Sequence, residues 1–244
     1  SLRYGFKIIE DASHAIGATY LGEPVGNCRY SDCTVFSFHP VKIVTTAEGG
    51  VVTTRSAQIF QRLERLRSHG ITRDPAQMTQ TPQGPWVYEQ IELGFNYRMT
   101  ELQAALGLSQ MSRLREYVRA RTRIAQHYQE ALSDLSLTPL RLAPGRTSAW
   151  HLYVVQVSKT APLTRAQLFK QLRDAGIGVN VHYIPVHLQS YYQSLGFKVG
   201  DFPAAERFYQ HAITLPLHPG LNATDLATIT QALHHNLAPL EAAA

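Results

Sequence analysis

The sequence predicts an α/β or α+β chain built in two parts, and three observations carry that prediction. Short β-branched and aromatic runs alternate with stretches of helical spacing. The alternation gives way to a long helical region after Thr100 and resumes near Trp150, which puts a boundary between about 110 and 135, taken as 1–112 followed by 113–244. A pair of acids, Glu10 and Asp11, closes the first strand, and the carboxyl ends of strands are where open α/β sheets bind ligands.

The elements follow in order. Ser1 to Gly5 reads as a helix end, and Phe6-Lys-Ile-Ile9 as a short buried strand closed by the two acids. Thr34–Phe38 and Val51–Thr54 read as further strands. Ile59, Leu63 and Leu66 share one face of a helix running from Ala57 to about Ser68. Residues 69–98 hold three prolines and little periodicity, so they read as a long excursion, and loops of that length are more often functional than idle. Thr100-Glu-Leu-Gln103 fits a capping box. Behind it helical spacing continues to Leu132, with a break expected between Gly107 and Met111. Residues 133–147 read as loop. Strand is expected at Trp150–Val157 and Ile177–Tyr183, and helix at Thr164–Ala175, Phe202–Ala212 and Thr224–Asn236.

Composition excludes several classes. With 44% hydrophobic and 17% charged residues, a chain of 244 residues has enough apolar surface to fold. No apolar run approaches the roughly 20 residues of a membrane helix, and no signal-peptide pattern is present. The expectation is a cytoplasmic protein with no membrane partner. Cys28 and Cys33 make no disulfide framework and no zinc spacing, so they read as free structural thiols. His182 and His187, and the adjacent His234 and His235, do not form a ligand face, so no metal is expected. Arg113, Arg115, Arg119, Arg121 and Arg123 crowd one helix; without interleaved aromatics they read as a solvated face, and no nucleic acid is expected. The net charge of +5 permits a polyanionic partner without requiring one.

Chemistry concentrates in two segments. Glu10-Asp-Ala-Ser-His-Ala15 lies at a strand end; Phe36-Ser-Phe-His-Pro-Val-Lys42, followed by Thr45-Thr-Ala-Glu-Gly-Gly50, is a strand running into a turn. A lysine just past a buried strand loses hydration, which lowers its pKa toward that of an amine nucleophile. A carboxylate for a pyridinium nitrogen, a Schiff-base lysine and a hydroxyl for a phosphate are the parts that pyridoxal phosphate requires. Taken singly, such acids often only cap a turn, and most lysines are solvated surface residues.

Together with Gly94-Phe-Asn-Tyr-Arg98, Val181-His-Tyr-Ile-Pro-Val-His187 and Thr214-Leu-Pro-Leu-His218, these segments resemble the DegT-type sugar-nucleotide aminotransferases, a branch of the fold-type I enzymes that use pyridoxal phosphate. The resemblance implies an aspartate aminotransferase-like fold, with an incomplete large domain over 1–112 and a linking helix plus smaller α+β domain over 113–244. It implies Lys42 as the Schiff-base lysine and proton carrier, Asp11 on the pyridine nitrogen, His14 against the ring or its phenolic oxygen, and Ser37 on the phosphate. Asn96 would reach the cofactor phosphate of a neighbouring subunit, which implies a homodimer with shared sites. His69, Arg98, His182 and Tyr183 are the implied substrate contacts. The implied reaction moves an amino group from glutamate to a nucleotide-linked 4-keto-6-deoxy sugar. Arg67-Ser-His-Gly-Ile-Thr-Arg73 and Phe36–Val41 resemble the branch that serves pseudaminic acid biosynthesis. Related dehydratases carry histidine in place of the lysine, so Lys42 favours transamination. Family members carry a further half-domain ahead of the equivalent of Phe6, with a helix N-terminus that grips the phosphate. The expectation is therefore a partial chain, and the alternative is a fragment that folds or dimerises without chemistry.

Overall fold

The computed structural model describes residues 1 and 3–238. Leu2, part of the opening stretch read as a helix end, lies outside the described residues. In the rest of that stretch, Tyr4 and Gly5 both donate their N–H to the Ser1 carbonyl, and Gly5 has φ +69°, a turn that glycine accommodates. The chain divides into two compact units, Ser1–Arg115 with Gly145–Thr147, and Glu116–Pro144 with Ser148–Ala244.

In the first unit, β1 (Ile9–Asp11) pairs in parallel with β4 (Cys33–Ser37), setting Asp11 opposite Val35. On the other side of β4 runs antiparallel β5 (Gly50–Thr53), with Ser37 opposite Gly50. Thr34 and Phe36 are buried while their neighbours in β4 are half-buried, the two-residue period of a strand. The strand expected over residues 6–9 instead begins at Ile9, and it is not buried: Phe6 is 55% exposed and Ile9 71%. Two causes are visible. The Asp32 carboxylate takes the Ile8 N–H at 2.9 Å, in place of a ladder partner, and among the described residues β1 is an edge strand with a neighbour on one side only. A hairpin of β2 (Thr19–Tyr20) and β3 (Glu23–Pro24) turns through Leu21 and Gly22, both at positive φ, as a two-residue primed turn requires.

Helix α1 (Ala57–Leu66) is capped by the Ser56 side chain. The excursion over 69–98 is not featureless. It holds the pair β6 (Ile71–Thr72) and β7 (Glu89–Gln90) and a 3-10 turn at Pro75–Gln77. It is tied back to α1 by Arg65, whose Nε meets Glu92 at 2.8 Å and whose Nη1 meets Gln77 Oε1 at 3.0 Å. The backbones there nearly touch: a Cβ on Gly70 would stand 1.8 Å from the Glu92 carbonyl oxygen. The capping box of Thr100 and Gln103 opens α2 (Glu101–Ser112). The helix break falls at Arg113, ahead of α3 (Leu114–Ala131), and not at Gly107–Met111. Gly107 stays inside α2 because its lack of a side chain admits Thr46 Cγ2.

In the second unit, β8 (Leu137–Pro139), within a stretch read as loop, pairs with β10 (Tyr153–Val157), which pairs with β11 (Ala212–Leu215), all antiparallel. The other strand in that stretch, β9 (Arg146–Thr147), joins β2 in the first unit. Helices α4 (Arg165–Asp174), α5 (Ser190–Ser194), α6 (Pro203–His211) and α7 (Ala223–Leu237) complete the unit. Tyr128, Leu168, Leu172, Ile213, Leu215 and Leu233 are solvent-excluded in one continuous core. The region 177–183 forms no strand; only an isolated bridge joins Asn180 to Thr214. The α6 helix stops at His211, so Ala212 begins a strand that helical spacing concealed. Arg121 is not on a solvated face. It is 7% exposed, and its Nη1 donates to the carbonyls of Trp150 and Leu217 at 3.0 and 2.8 Å. Aliphatic length lets arginine thread a core while its head finds acceptors. Among the described residues, no helix is long and apolar enough to cross a membrane.

Candidate active site

The parallel register decides where the acids point. Paired residues of neighbouring strands share a face and successive residues alternate, so Asp11, Val35 and Ser37 lie on one face, and Glu10, Thr34 and Phe36 on the other. The bond from Thr34 Oγ1 to Glu10 Oε2, 2.8 Å, marks that opposite face. Asp11 and Ser37 therefore end adjacent strands at the same carboxyl edge and on the same side.

Asp11 is fixed by Ser13, whose N–H and Oγ both donate to Oδ1 at 3.0 and 2.6 Å. Those two bonds, with smaller help from the nearby charges of His14 and Lys42, hold the Asp11 carboxyl below the usual aspartate range. Ser13 was not among the residues singled out from the sequence; an acceptor two positions ahead of a serine is the signal that marks it.

Lys42 follows β4 in a turn closed by its own N–H on the His39 carbonyl, 2.9 Å. The loop carrying it is pinned at Phe38, whose carbonyl accepts from the Thr46 N–H and the Thr45 Oγ1, and whose N–H donates to Gly49. Gly49 and Gly50 close this loop because neither position has room for a side chain: a Cβ on Gly50 would stand 2.7 Å from the Phe36 carbonyl oxygen. Ile43 and Val44 behind Lys42 are buried. Burial pushes the Lys42 ammonium pKa down, and the Asp11 charge pulls it the other way. Ser37 Oγ accepts from the His39 N–H at 3.4 Å. The structure thus brings Asp11, His14, Ser37 and Lys42 to one end of the sheet.

His69, Asn96 and Arg98 belong to the excursion. His69 has φ +65°; its N–H donates to the Phe95 carbonyl at 2.8 Å and its own carbonyl accepts from Gln90 Nε2 at 2.7 Å. Asn96 bridges to Ser68 beside it, and both Asn96 and Arg98 are exposed. His182 and Tyr183 lie in the second unit, with ring centroids 4.4 Å apart. His182 Nδ1 meets Thr214 Oγ1 at 2.8 Å, and its burial lowers its pKa; Tyr183 is exposed.

A partly dehydrated amine and a carboxylate within reach of its charge, at the carboxyl end of a parallel strand pair, make a donor set suited to pyridoxal phosphate, and the fold around them is that of the aminotransferases. Residues 1–234 match the DegT/DnrJ/EryC1/StrS aminotransferase family, and the chain belongs to it. The spore coat polysaccharide biosynthesis protein SpsC of Bacillus subtilis is 38% identical over 94% of this chain and 59% of its own length. The UDP-4-amino-4,6-dideoxy-N-acetyl-beta-L-altrosamine transaminase of Campylobacter jejuni is 33% identical over 95% of this chain and 58% of its own. Among solved structures, Helicobacter pylori PseC, an aminotransferase of pseudaminic acid biosynthesis, superposes with a TM-score of 0.85 at 30% identity, over 97% of this chain and 61% of that one. Spr1654 of Streptococcus pneumoniae, solved in its PMP form, gives 0.84 at 33% identity over 93% and 58%. The chain thus spans about three-fifths of the length of the relatives it matches.

Proposed function

We propose that this chain carries the reaction-centre residues of a pyridoxal phosphate-dependent aminotransferase that moves an amino group from glutamate to a nucleotide-linked 4-keto-6-deoxy sugar, as in the pseudaminic acid route. The observation that carries the reading is the convergence of Lys42 and Asp11 on one end of the sheet, near enough for each charge to act on the other: burial depresses the amine while the carboxylate, held by Ser13, stays ionised. Bound there, pyridoxal phosphate supplies an aldehyde for an amine and a ring that withdraws electrons when its nitrogen is protonated. Lys42 supplies the amine and, when free, takes and returns a proton at Nζ. Asp11 keeps a proton on the ring nitrogen through its charge. Ser37 would donate its hydroxyl to the phosphate, and His14 would sit against the ring or its phenolic oxygen. Asn96 serves the phosphate site of a second copy, in a homodimer with shared sites. His69, Arg98, His182 and Tyr183 orient the sugar nucleotide. The names of the Campylobacter and Helicobacter relatives support the sugar class.

The exposed edge of β1, with Phe6 and Ile9 facing water, favours a second reading, a chain that folds without chemistry. One experiment separates the two. The protein is mixed with pyridoxal phosphate, reduced with borohydride and digested for mass spectrometry. A pyridoxyl adduct on Lys42 that Lys42→Ala abolishes is the expected result. Loss of all cofactor on desalting, with no adduct, decides for the second reading.

A further inference from the structure

His187 and Glu206 are a buried ionisable pair that the proposed chemistry leaves unused. Glu206 stands in the first turn of α6 and is 9% exposed; His187, in a 3-10 turn at Val186–Leu188, is 7% exposed. A single oxygen, Glu206 Oε1, lies 2.9 Å from His187 Nε2 and accepts the N–H groups of Gly200 at 2.8 Å and Phe202 at 3.4 Å. The rings of His187 and Phe202 add a contact at 4.8 Å. One carboxylate therefore ties together a turn, the loop ahead of α6 and the first turn of α6 itself.

The chain between residues 183 and 202 has few other means of holding its path. It contains that 3-10 turn and the five-residue α5, and among the described residues it pairs with no strand. The hydrogen bonds within it are local, such as Leu188 N–H to the Pro185 carbonyl and Gly196 N–H to that of Gln193. Tyr183, Val186, Tyr191, Leu195 and Val199 all face water. With little apolar burial, segments of this kind open at low cost unless polar anchors hold them. Two such anchors exist. At the entry, His182 Nδ1 meets Thr214 Oγ1 in β11; at the exit stands Glu206.

We propose that Glu206 is a positioning residue: through His187 and the amides of Gly200 and Phe202 it sets the path of residues 183–202, and with it the placement of Tyr183. Removing the carboxylate would leave three donors without their acceptor, each in a partly or wholly dry place, which is the costly way to break a hydrogen bond. The part of Tyr183 as a substrate contact rests on the function proposed above; the positioning does not.

Hydrogen exchange followed by mass spectrometry tests it on the whole chain. In Glu206→Ala, peptides covering 183–202 are expected to exchange about tenfold faster or more, while those of β10, β11 and α7 keep their rates. Glu206→Gln, which retains an oxygen acceptor, is expected to restore most of the protection, a rescue that loss of bulk alone would not show. Unchanged exchange over 183–202 in Glu206→Ala overturns the proposal, as does equal acceleration throughout the second unit or failure of glutamine to rescue. Should Glu206→Ala not fold, His187→Ala, which spares both amide bonds, is expected to accelerate the same peptides by a smaller factor, and no change there also overturns it. The link to Tyr183 is read separately with uridine diphosphate as the probe. Glu206→Ala and Tyr183→Ala should each weaken its binding, and the double variant should bind no more weakly than either. Wild-type protein that ignores uridine diphosphate sinks the substrate reading of Tyr183, and the exchange data still decide the role of Glu206.

Discussion

At the scale of single residues, Asp11 and Lys42 act on each other in a way that titration can read. The carboxylate favours the protonated amine, opposing the burial that disfavours it. Asp11→Asn is therefore expected to lower the Lys42 pKa further, measured by NMR of the labelled lysine side chain; an upward shift would mean that the acid does not act on the amine. Asp11 itself is held down first by Ser13. A carboxyl whose folded pKa lies below its unfolded value contributes stability above about pH 3.9 that is lost as pH falls through the lower, folded value. Ser13→Ala should move the Asp11 titration up toward the ordinary aspartate range and narrow that acid-side dependence, as carboxyl NMR would show. The acid and the lysine were legible in the sequence because both stand at the end of a strand-like run. Ser13 was not singled out, since its role is to fix a neighbour. Arg121 was misread for a related reason: spacing along a helix reports which residues share a face, and not what the face packs against.

At the scale of elements, legibility followed local chemistry. The capping boxes at Thr100 and Thr164 start α2 and α4 where side-chain bonding alone dictates. Thr100→Ala is expected to cost about 1 kcal/mol, measured by denaturant unfolding. The excursion over 69–98 was illegible because its order comes from distant partners: Arg65 reaching Glu92 and Gln77, and the Leu66 and Arg67 carbonyls accepting from the Phe95 and Tyr97 N–H groups. The short strands β6, β7, β8 and β9 carry two or three residues each, too few for a period of two to show. Gly70 is the point on which the excursion closes. With φ +73° and the Glu92 carbonyl where a side chain would stand, Gly70→Ala combines left-handed strain of at least about 1–2 kcal/mol with a displaced backbone. Amides of β6 and β7 should then lose exchange protection; retained protection would show that the hairpin does not depend on that approach.

At the scale of the whole molecule, the two units are unequally provided with core. The second has a continuous cluster running from Ile124 to Leu237, in which Tyr128, Leu168, Leu172, Ile213 and Leu233 are solvent-excluded. The first buries fewer large side chains, chiefly Phe36, Phe38, Ile43 and Val44, while Tyr4, Phe6, Ile9, Leu93 and Tyr97 face water. Stability tracks the apolar area that folding removes from water, so the two units should not lose structure together. Denaturant or heat is expected to give two transitions, with the unit holding Lys42 melting first. Core truncations assign them. Leu168→Ala, at a solvent-excluded site, should cost about 2–5 kcal/mol and move the later transition alone. Phe36→Ala should cost about 3–5 kcal/mol and move the earlier one. A single transition displaced by both substitutions would show that the units share one cooperative fold. The order has a consequence for chemistry, since ligands that bind only the folded state stabilise it by mass action. Pyridoxal phosphate held by Asp11, Ser37 and Lys42 should raise the earlier transition and leave the later one in place. Lys42→Ala should remove most of that rise.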